Sequence, residues 1–302
     1  MYDIIVIGAG PAGMTAAIYA RRASKSVLVL EAMSYGGQIV NAADIENYPV
    51  EAHISGFDFS TRLYEQTKAL GAEFAFEKAV GIREEDGLKT VVTPKHMYQA
   101  KAVILATGSA NRKLGLPGED RLLGRGISYC ATCDGNFFRG KTVAVVGGGN
   151  TALEDALYLS ELAAKVYLIH RRESFRGEEA AVSRLREKEN VEFILSANVT
   201  RLVGEKRLEA VEVTNGPDGS VRTLEVSGHF VAVGRVPENQ NFASLVKLDE
   251  AGYVAAGEDC RTSAEGIFAA GDNRTKSLRQ LVTATADGAM AATEAVKYVN
   301  GL

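Results

Sequence analysis

The sequence predicts an α/β chain of two doubly wound units, the second inserted into the first. Three observations predict it. A short apolar strand, Asp3 to Ile7, runs into the turn GAGPAG and then into a helix pattern from Pro11 to Ala23. The same order returns at Thr142 to Val146, GGGNTA and a helix from about Asn150 to Leu162. The residues after about Leu245, with the strand-turn GIFAAGD (Gly266 to Asp272) and an Ala-rich helix, are too few to stand alone and so complete the first unit.

Each element has a local reason. Val27 to Glu31 and Ala102 to Ala106 are short, β-branched and apolar, and with the first strand and its helix they make a βαβ unit. Between Val80 and Val92 two segments meet at Asp86-Gly87, a hairpin signal, before the buried run AVILATG ends at Gly108. In the second unit Lys165 to Ile169, a β-rich stretch through Val221, and HFVAVG ending at Gly234 mirror the first. The prediction is thus two Rossmann-like dinucleotide-binding domains, each with an added β-meander. Turn-rich segments from Asn111 to Gly118 and from Arg235 to Asn241 flank the insertion as linkers, giving domains at 1–114 with 246–302 and at 115–245.

With 302 residues, 46% hydrophobic and 24% charged, the chain suits two folded domains and leaves no room for a long disordered tract. A net charge of -4 argues against a nucleic-acid partner, which needs clustered Lys and Arg. No run of eighteen apolar residues occurs, so no spanning helix and no membrane role is expected. The apolar start carries Asp3 and glycine turns and lacks a basic leader, and reads as a buried strand and helix rather than a signal sequence.

In the first motif Gly8 makes the tight turn, Gly10 lets backbone approach a pyrophosphate at the helix N-terminus, and Gly13 lets the helix pack on the sheet. Glu31 ends the next strand, where a ribose-binding acid belongs; the bland reading is a glycine turn without a ligand. The second motif places Gly147, Gly149, Asn150, Thr151 and Ala152 likewise, but its next strand ends in His170, Arg171 and Arg172, with Arg176 one turn on. Guanidiniums there suit a 2′-phosphate, unless Glu173, Glu178 and Glu179 merely balance a solvated turn. An acid in the first site suits FAD, and arginines in the second suit NADPH.

Cys130 and Cys133 frame a Cys-x-x-Cys just before the second unit's first strand. Zinc needs four ligands, and Cys260 and the four histidines are far off in sequence, so no metal is expected. A structural disulfide over so small a loop contributes little, whereas a reversible couple in a reducing cytoplasm fits. Asp134 either shuttles a proton for the thiols or caps a turn. Cys260 reads as a structural thiol.

Two dinucleotide sites, CATCDG, HRRESFR and GIFAAGD followed by Arg279-Gln280 together resemble the low-molecular-weight thioredoxin reductases over essentially the whole chain. The resemblance implies a homodimer with FAD held by Gly8, Gly10, Pro11, Ala12 and Gly13, by the segment from Glu31 through Ala32, Gly36 and Gly37 to Gln38, by Asn47, and by Gly271, Asp272, Arg279 and Gln280. It also implies that Cys133 lies next to the flavin, that Cys130 attacks the disulfide of thioredoxin, and that Asp134 protonates the leaving thiolate. Ferredoxin-fed relatives lack the second glycine motif and the arginine cluster; both are present here and argue for NADPH. Two departures stand out: Val50, where relatives often have Gly after Asn-Tyr-Pro, and Asn136, at a position often small or aromatic.

Nicotinamide and dithiol must each reach the flavin, yet both ride on the inserted domain. A swing about Leu116-Pro117-Gly118 and Val236-Pro237-Glu238 is therefore expected. Three other readings stand beside it: a flavoprotein serving a peroxiredoxin or glutaredoxin-like partner, a redox sensor whose cysteines titrate once without turnover, and an oxidase that passes electrons to oxygen and releases peroxide independently of the cysteines.

Overall fold

Four consecutive buried residues, Ile4 to Ile7, demand cover on both faces of the strand Tyr2–Ile7. In the computed structural model, which describes residues 1–42, 44–85 and 87–301, that cover is present. Ile4 and Val6 pack with Met14, Ala17 and Ala20 of the helix Pro11–Arg22 and with Ala291, Ala295 and Val299 of the helix Leu281–Gly301. Ile5 and Ile7 point the other way, into a core with Leu28, Leu105, Phe242 and Val254.

The chain groups into two units, Met1–Ala110 with Val236–Leu302, and Asn111–Arg235. The first carries a seven-stranded sheet in the order Glu73–Ala75, Val27–Leu30, Tyr2–Ile7, Met97–Leu105, Leu88–Val92, Gly81–Glu85. Its nine-residue strand Met97–Leu105 serves two partners on one edge. Its first residues pair antiparallel with Leu88–Val92, and Val103 to Leu105 pair parallel with the seventh strand, Ile267–Ala269. That strand is longer than the predicted Ala102 to Ala106, because the meander extends it backwards. The predicted hairpin forms between Gly81–Glu85 and Leu88–Val92 with Gly87 at φ +76°; Asp86 lies outside the described residues.

The second unit has a parallel sheet in the order Val191–Ile194, Lys165–Ile169, Thr142–Gly147, Gly228–Ala232, Ile127–Ser128. Val143, Val145 and Leu168 pack under the helix Asn150–Ser160 through Leu153, Ala156 and Leu159. Ala144, Val146 and Ile169 face the antiparallel meander Ala197–Val203, Ala210–Asn215, Val221–Glu225 through Val199, Val211 and Leu224. The stretch read from sequence as β-rich also contains the helix Glu179–Arg186. The helix Gly56–Ala69 was likewise unpredicted, although Ser55 caps it by accepting from the Asp58 amide at 3.0 Å, a cap legible in Ser-x-x-Asp. No helix among the described residues is long and apolar enough to cross a membrane.

The first unit is tied by one buried carboxylate. Asp287, on the helix Leu281–Gly301, receives the Arg274 guanidinium on both oxygens (2.6 and 2.8 Å), the Lys276 ammonium at 2.9 Å and the Gly271 amide at 2.9 Å. The loop carrying Gly271 and Asp272 is thereby fastened to the helix behind it. Burial pushes this carboxyl upward, but the bonds from Arg274 and Lys276 outweigh it and hold the group below the ordinary carboxylate range. Its stabilisation is therefore full above the unfolded value of 3.8 and is lost as the pH falls through the lower folded value. Asp287→Asn leaves a buried guanidinium short of its counter-charge and is expected to lower stability by about 3–5 kcal/mol at pH 7. Urea unfolding at pH 7 checks this; an unchanged midpoint would show that the carboxylate carries no such load.

Candidate dinucleotide and dithiol sites

Both glycine motifs sit between a parallel strand and a helix, and close approach explains their composition. A Cβ on Gly8 (φ +112°) would fall 2.2 Å from the Ala106 carbonyl oxygen, and one on Gly13 would fall 1.9 Å from the carbonyl oxygen of Gly8. Gly10 is the N-cap of the helix Pro11–Arg22 and offers no capping side chain, with Pro11 in the first turn, so the amides of that turn stay open to an anion. Gly37 (φ +62°) faces Gly10 so closely that its Cβ would lie 3.2 Å from the Gly10 Cα. Gly36 donates its amide to Ala9 at 2.8 Å. Gly36 and Gly37 thus bring the segment from Ala32 to Gln38 against the mouth of the first motif.

Glu31 accepts from the Ala9 amide at 2.8 Å on one oxygen and from the Met33 amide at 3.0 Å on the other. Each oxygen keeps a further lone pair, so the acid can bind a ribose while bracing the turn. Gly271 (φ +88°) comes within 2.8 Å, by its absent Cβ, of the Ala12 side chain, which brings Asp272 to the same helix N-terminus. Asn47 donates to Gln280 at 3.3 Å. The neighbouring Arg279 stacks 4.0 Å from the Tyr253 ring centroid and keeps a buried Nε with no hydrogen-bond partner. A slot walled by glycines, an open helix N-terminus and an unsatisfied guanidinium nitrogen fit a dinucleotide such as FAD.

Val50 sits close in sequence to Asn47. It occupies the third position of the turn Tyr48-Pro49-Val50-Glu51, closed by the Glu51 amide on the Tyr48 carbonyl at 3.1 Å, with φ +80°. That position of a type II turn calls for glycine, so this departure from the family pattern carries about 1 kcal/mol of backbone strain.

In the second unit Gly149 caps the helix Asn150–Ser160, again without a side-chain cap, and a Cβ there would meet nothing within 4 Å. Asn150 accepts from the Glu178 amide at 2.8 Å, Thr151 is exposed, and Ala152 packs beneath Gly147. The unpredicted member is Gly148, whose Cβ would fall 2.0 Å from the His170 ring. His170 is buried, stacked on Phe175 at 5.2 Å, and its Nε2 has no partner. Burial first, and then the charges of Arg176, Arg171 and Arg172, depress its pKa, so it is neutral at pH 7. The three guanidiniums therefore do cluster, and among the described residues none is paired with Glu173, Glu178 or Glu179. A neutralised surface turn is not what this geometry shows. The open amides, the unpaired arginines and the orphaned imidazole nitrogen fit a phosphorylated dinucleotide such as NADPH.

Cys130 and Cys133 form a disulfide with Cα atoms 5.3 Å apart across the one-turn helix Ala131–Asp134, of which Cys130 is the N-cap. Gly135 lets this turn lie on the helix Asn150–Ser160, since its Cβ would come within 2.8 Å of the Tyr158 ring. Asp134 makes no cap; its Oδ2 instead accepts from the Ser128 hydroxyl at 2.6 Å. Burial pushes the Asp134 carboxyl up, and the Ser128 bond opposes it. Tyr129 is fastened too. Its hydroxyl donates at 2.6 Å to the buried Glu119, which also accepts the amides of Leu114, Gly115 and Leu116 at 2.9, 2.8 and 3.3 Å. Asp155, on the packed helix, is pushed up to about 7 by burial and Glu154 against the pull of Arg235. Ser128, Glu119 and Asp155 carry no motif and were not legible in sequence. Cys260 is buried and free, its thiol pushed up to about 11 chiefly by burial, as a structural thiol should be.

Against known proteins, the family described as pyridine nucleotide-disulphide oxidoreductase matches residues 2–288. A thioredoxin reductase of Listeria innocua is 45% identical over 303 residues, covering 100% of this chain and 95% of its own. Among solved structures, a thioredoxin reductase of Streptococcus pyogenes is 40% identical with a TM-score of 0.91, covering 100% of this chain and 99% of that one. One from Lactococcus lactis, described as in the FR conformation, is also 40% identical, with a TM-score of 0.73 and full coverage of both chains. With glycine cradles, arginine cluster and dithiol in one chain, the protein belongs to the pyridine nucleotide-disulphide oxidoreductases, among the low-molecular-weight, FAD- and NADPH-dependent thioredoxin reductases.

Proposed function

We propose that this chain reduces the disulfide of thioredoxin with electrons from NADPH. The observation that carries the reading is the half-exposed Cys130–Cys133 disulfide built into the same unit as the unpaired arginine cluster. FAD would be held in the first unit by Gly8, Gly10, Gly13, Glu31, Gly37, Asn47, Asp272, Arg279 and Gln280, and supplies a two-electron carrier between nicotinamide and dithiol. NADPH would lie on Gly147, Gly149 and the amides after it, with its 2′-phosphate among Arg171, Arg172 and Arg176. Cys130 is the attacking thiol and Cys133 the flavin-side thiol, with Asp134 moving the proton. A soluble homodimer in the cytoplasm, where thiols are kept reduced, completes the reading.

Both the nicotinamide and the dithiol belong to the second unit, so serving one flavin requires them to take turns. The two segments that join the units, Ser109–Asn111 and Arg235–Pro237, pair as a two-stranded ribbon and are the natural pivot. The sequence-based choice of Leu116-Pro117-Gly118 is less apt, because Glu119 holds the amides of Leu114 to Leu116 within the second unit. Relatives of equal identity that match the chain at TM-scores of 0.91 and 0.73 are what such a swing would produce.

Three measurements test this. Purified protein should oxidise NADPH continuously only when oxidised thioredoxin is supplied, and Cys133→Ser should abolish that turnover; a single stoichiometric titration would instead indicate a sensor. Replacing any one of Arg171, Arg172 or Arg176 with Ala should raise KM for NADPH about tenfold or more and leave KM for NADH nearly unchanged. Equal effects on both nucleotides would move the 2′-phosphate elsewhere. A covalent cross-link joining the two units should stop thioredoxin-dependent turnover while NADPH affinity persists, and undiminished turnover would remove the swing.

A further inference from the structure

One buried polar side chain joins the carboxylate of Asp134 to the backbone of Cys130 in the dithiol turn. Ser128 is 2% exposed at the end of the strand Ile127–Ser128. Its hydroxyl oxygen accepts the Cys130 amide at 3.0 Å and lies 2.6 Å from Asp134 Oδ2 and 3.2 Å from the Cys130 carbonyl. A hydroxyl has one hydrogen, and the shorter, charge-assisted contact takes it. The carboxylate of Asp134 and the backbone of Cys130 are thus held on one oxygen. With Oδ2 occupied, Oδ1, which has no partner among the described residues, is left to carry a proton.

We propose that Ser128 is a positioning residue for thiol–disulfide exchange: it holds Asp134 beside Cys130 as a carboxylate whose free oxygen relays the proton of the attacking thiol. The inference rests on the assignment of Asp134 as the proton carrier. In the step, the Cys130 thiol gives its proton to Oδ1, and the thiolate forms a bond to one sulfur of the substrate disulfide as the substrate S–S bond breaks. The displaced thiolate takes the proton from Asp134. Cys133 then bonds to Cys130, the mixed disulfide breaks, and the second substrate sulfur takes the Cys133 proton by way of water. The two electrons and two protons lost by the dithiol are those the substrate gains.

Two opposing effects act on Asp134: burial favours the neutral acid and the donated Ser128 bond favours the anion. Other titratable groups lie near the turn but add nothing to that balance. They are Glu154 and Asp155 on the packed helix, Arg139 and Lys141 beyond it, Glu119 behind Tyr129, and His229 on the adjacent strand, which burial pushes down to about 4. Removing the hydroxyl disfavours the charged form, so the pKa of Asp134 rises and activity is lost first on the acid side.

The test is the pH dependence of kcat/KM for thioredoxin in the flavin-loaded enzyme, compared among Ser128→Ala, Ser128→Thr and Asp134→Asn. Ser128→Ala should lose about tenfold in kcat/KM at pH 6, the worth of one hydrogen bond to a charged group, and recover towards the wild-type rate at pH 8.5. Ser128→Thr keeps a hydroxyl and should keep the wild-type profile, and Asp134→Asn should remove the acid limb. A Ser128→Ala profile that superposes on the wild type, or that falls equally at every pH, overturns the positioning role while leaving Asp134 in place. An acid limb that survives in Asp134→Asn overturns the proton-carrier assignment itself, and would point to Asp155, which titrates near neutrality.

Discussion

Backbone contact without side chains is the constraint from which the rest of this structure follows. A Cβ on Gly13 would lie 1.9 Å from the carbonyl oxygen of Gly8, one on Gly8 2.2 Å from that of Ala106, and one on Gly288 2.2 Å from that of Ala12. Four pieces of chain, the ends of two strands and two helices, therefore meet where ordinary residues would hold them apart. Because they meet, the first turn of the helix Pro11–Arg22 is pressed against the strand ends, and its unsatisfied amides become the floor of a site rather than a frayed terminus. The second unit repeats the device with Gly147 against Ala232 and Gly148 against His170.

Around those floors the two units diverge in charge. The first surrounds its turn with carboxylates that are already engaged: Glu31 on two amides, Asp287 on Arg274, Lys276 and Gly271. The second leaves three guanidiniums unpaired around a neutral imidazole. The two units thus share one anion-binding geometry but surround it with different charge, already engaged by the protein in the first and unpaired in the second.

The dithiol turn applies the same economy of parts. Cys130 caps a helix of one turn, too short to stiffen itself, so its rigidity comes from outside: Ser128 bridges Cys130 to Asp134, Tyr129 is tied to Glu119, and Gly135 admits the helix Asn150–Ser160. Every one of these supports belongs to the second unit, so a dithiol that travels can keep its geometry while it moves.

Much of this was legible in the sequence because it depends on local chemistry. Glycine spacing dictates strand-turn-helix, Cys-x-x-Cys dictates a small redox loop, and the residue type at the end of the second strand, Glu31 against His170-Arg171-Arg172, marks where the two motifs differ in charge. Val50 stood out in the sequence only as a departure from the family pattern, and its positive φ is what the structure added. What the sequence could not hold were pairings between residues distant in the chain. Whether Asp134 capped its own turn or reached back to Ser128, whether the acids near Arg171 neutralised it, and whether Asp287 would be a buried anchor all depend on which surfaces the fold brings together. A carboxylate, a hydroxyl or a guanidinium has the same local preferences wherever it occurs; its charge state and its partner are set by burial and proximity, and those exist only once the chain has folded.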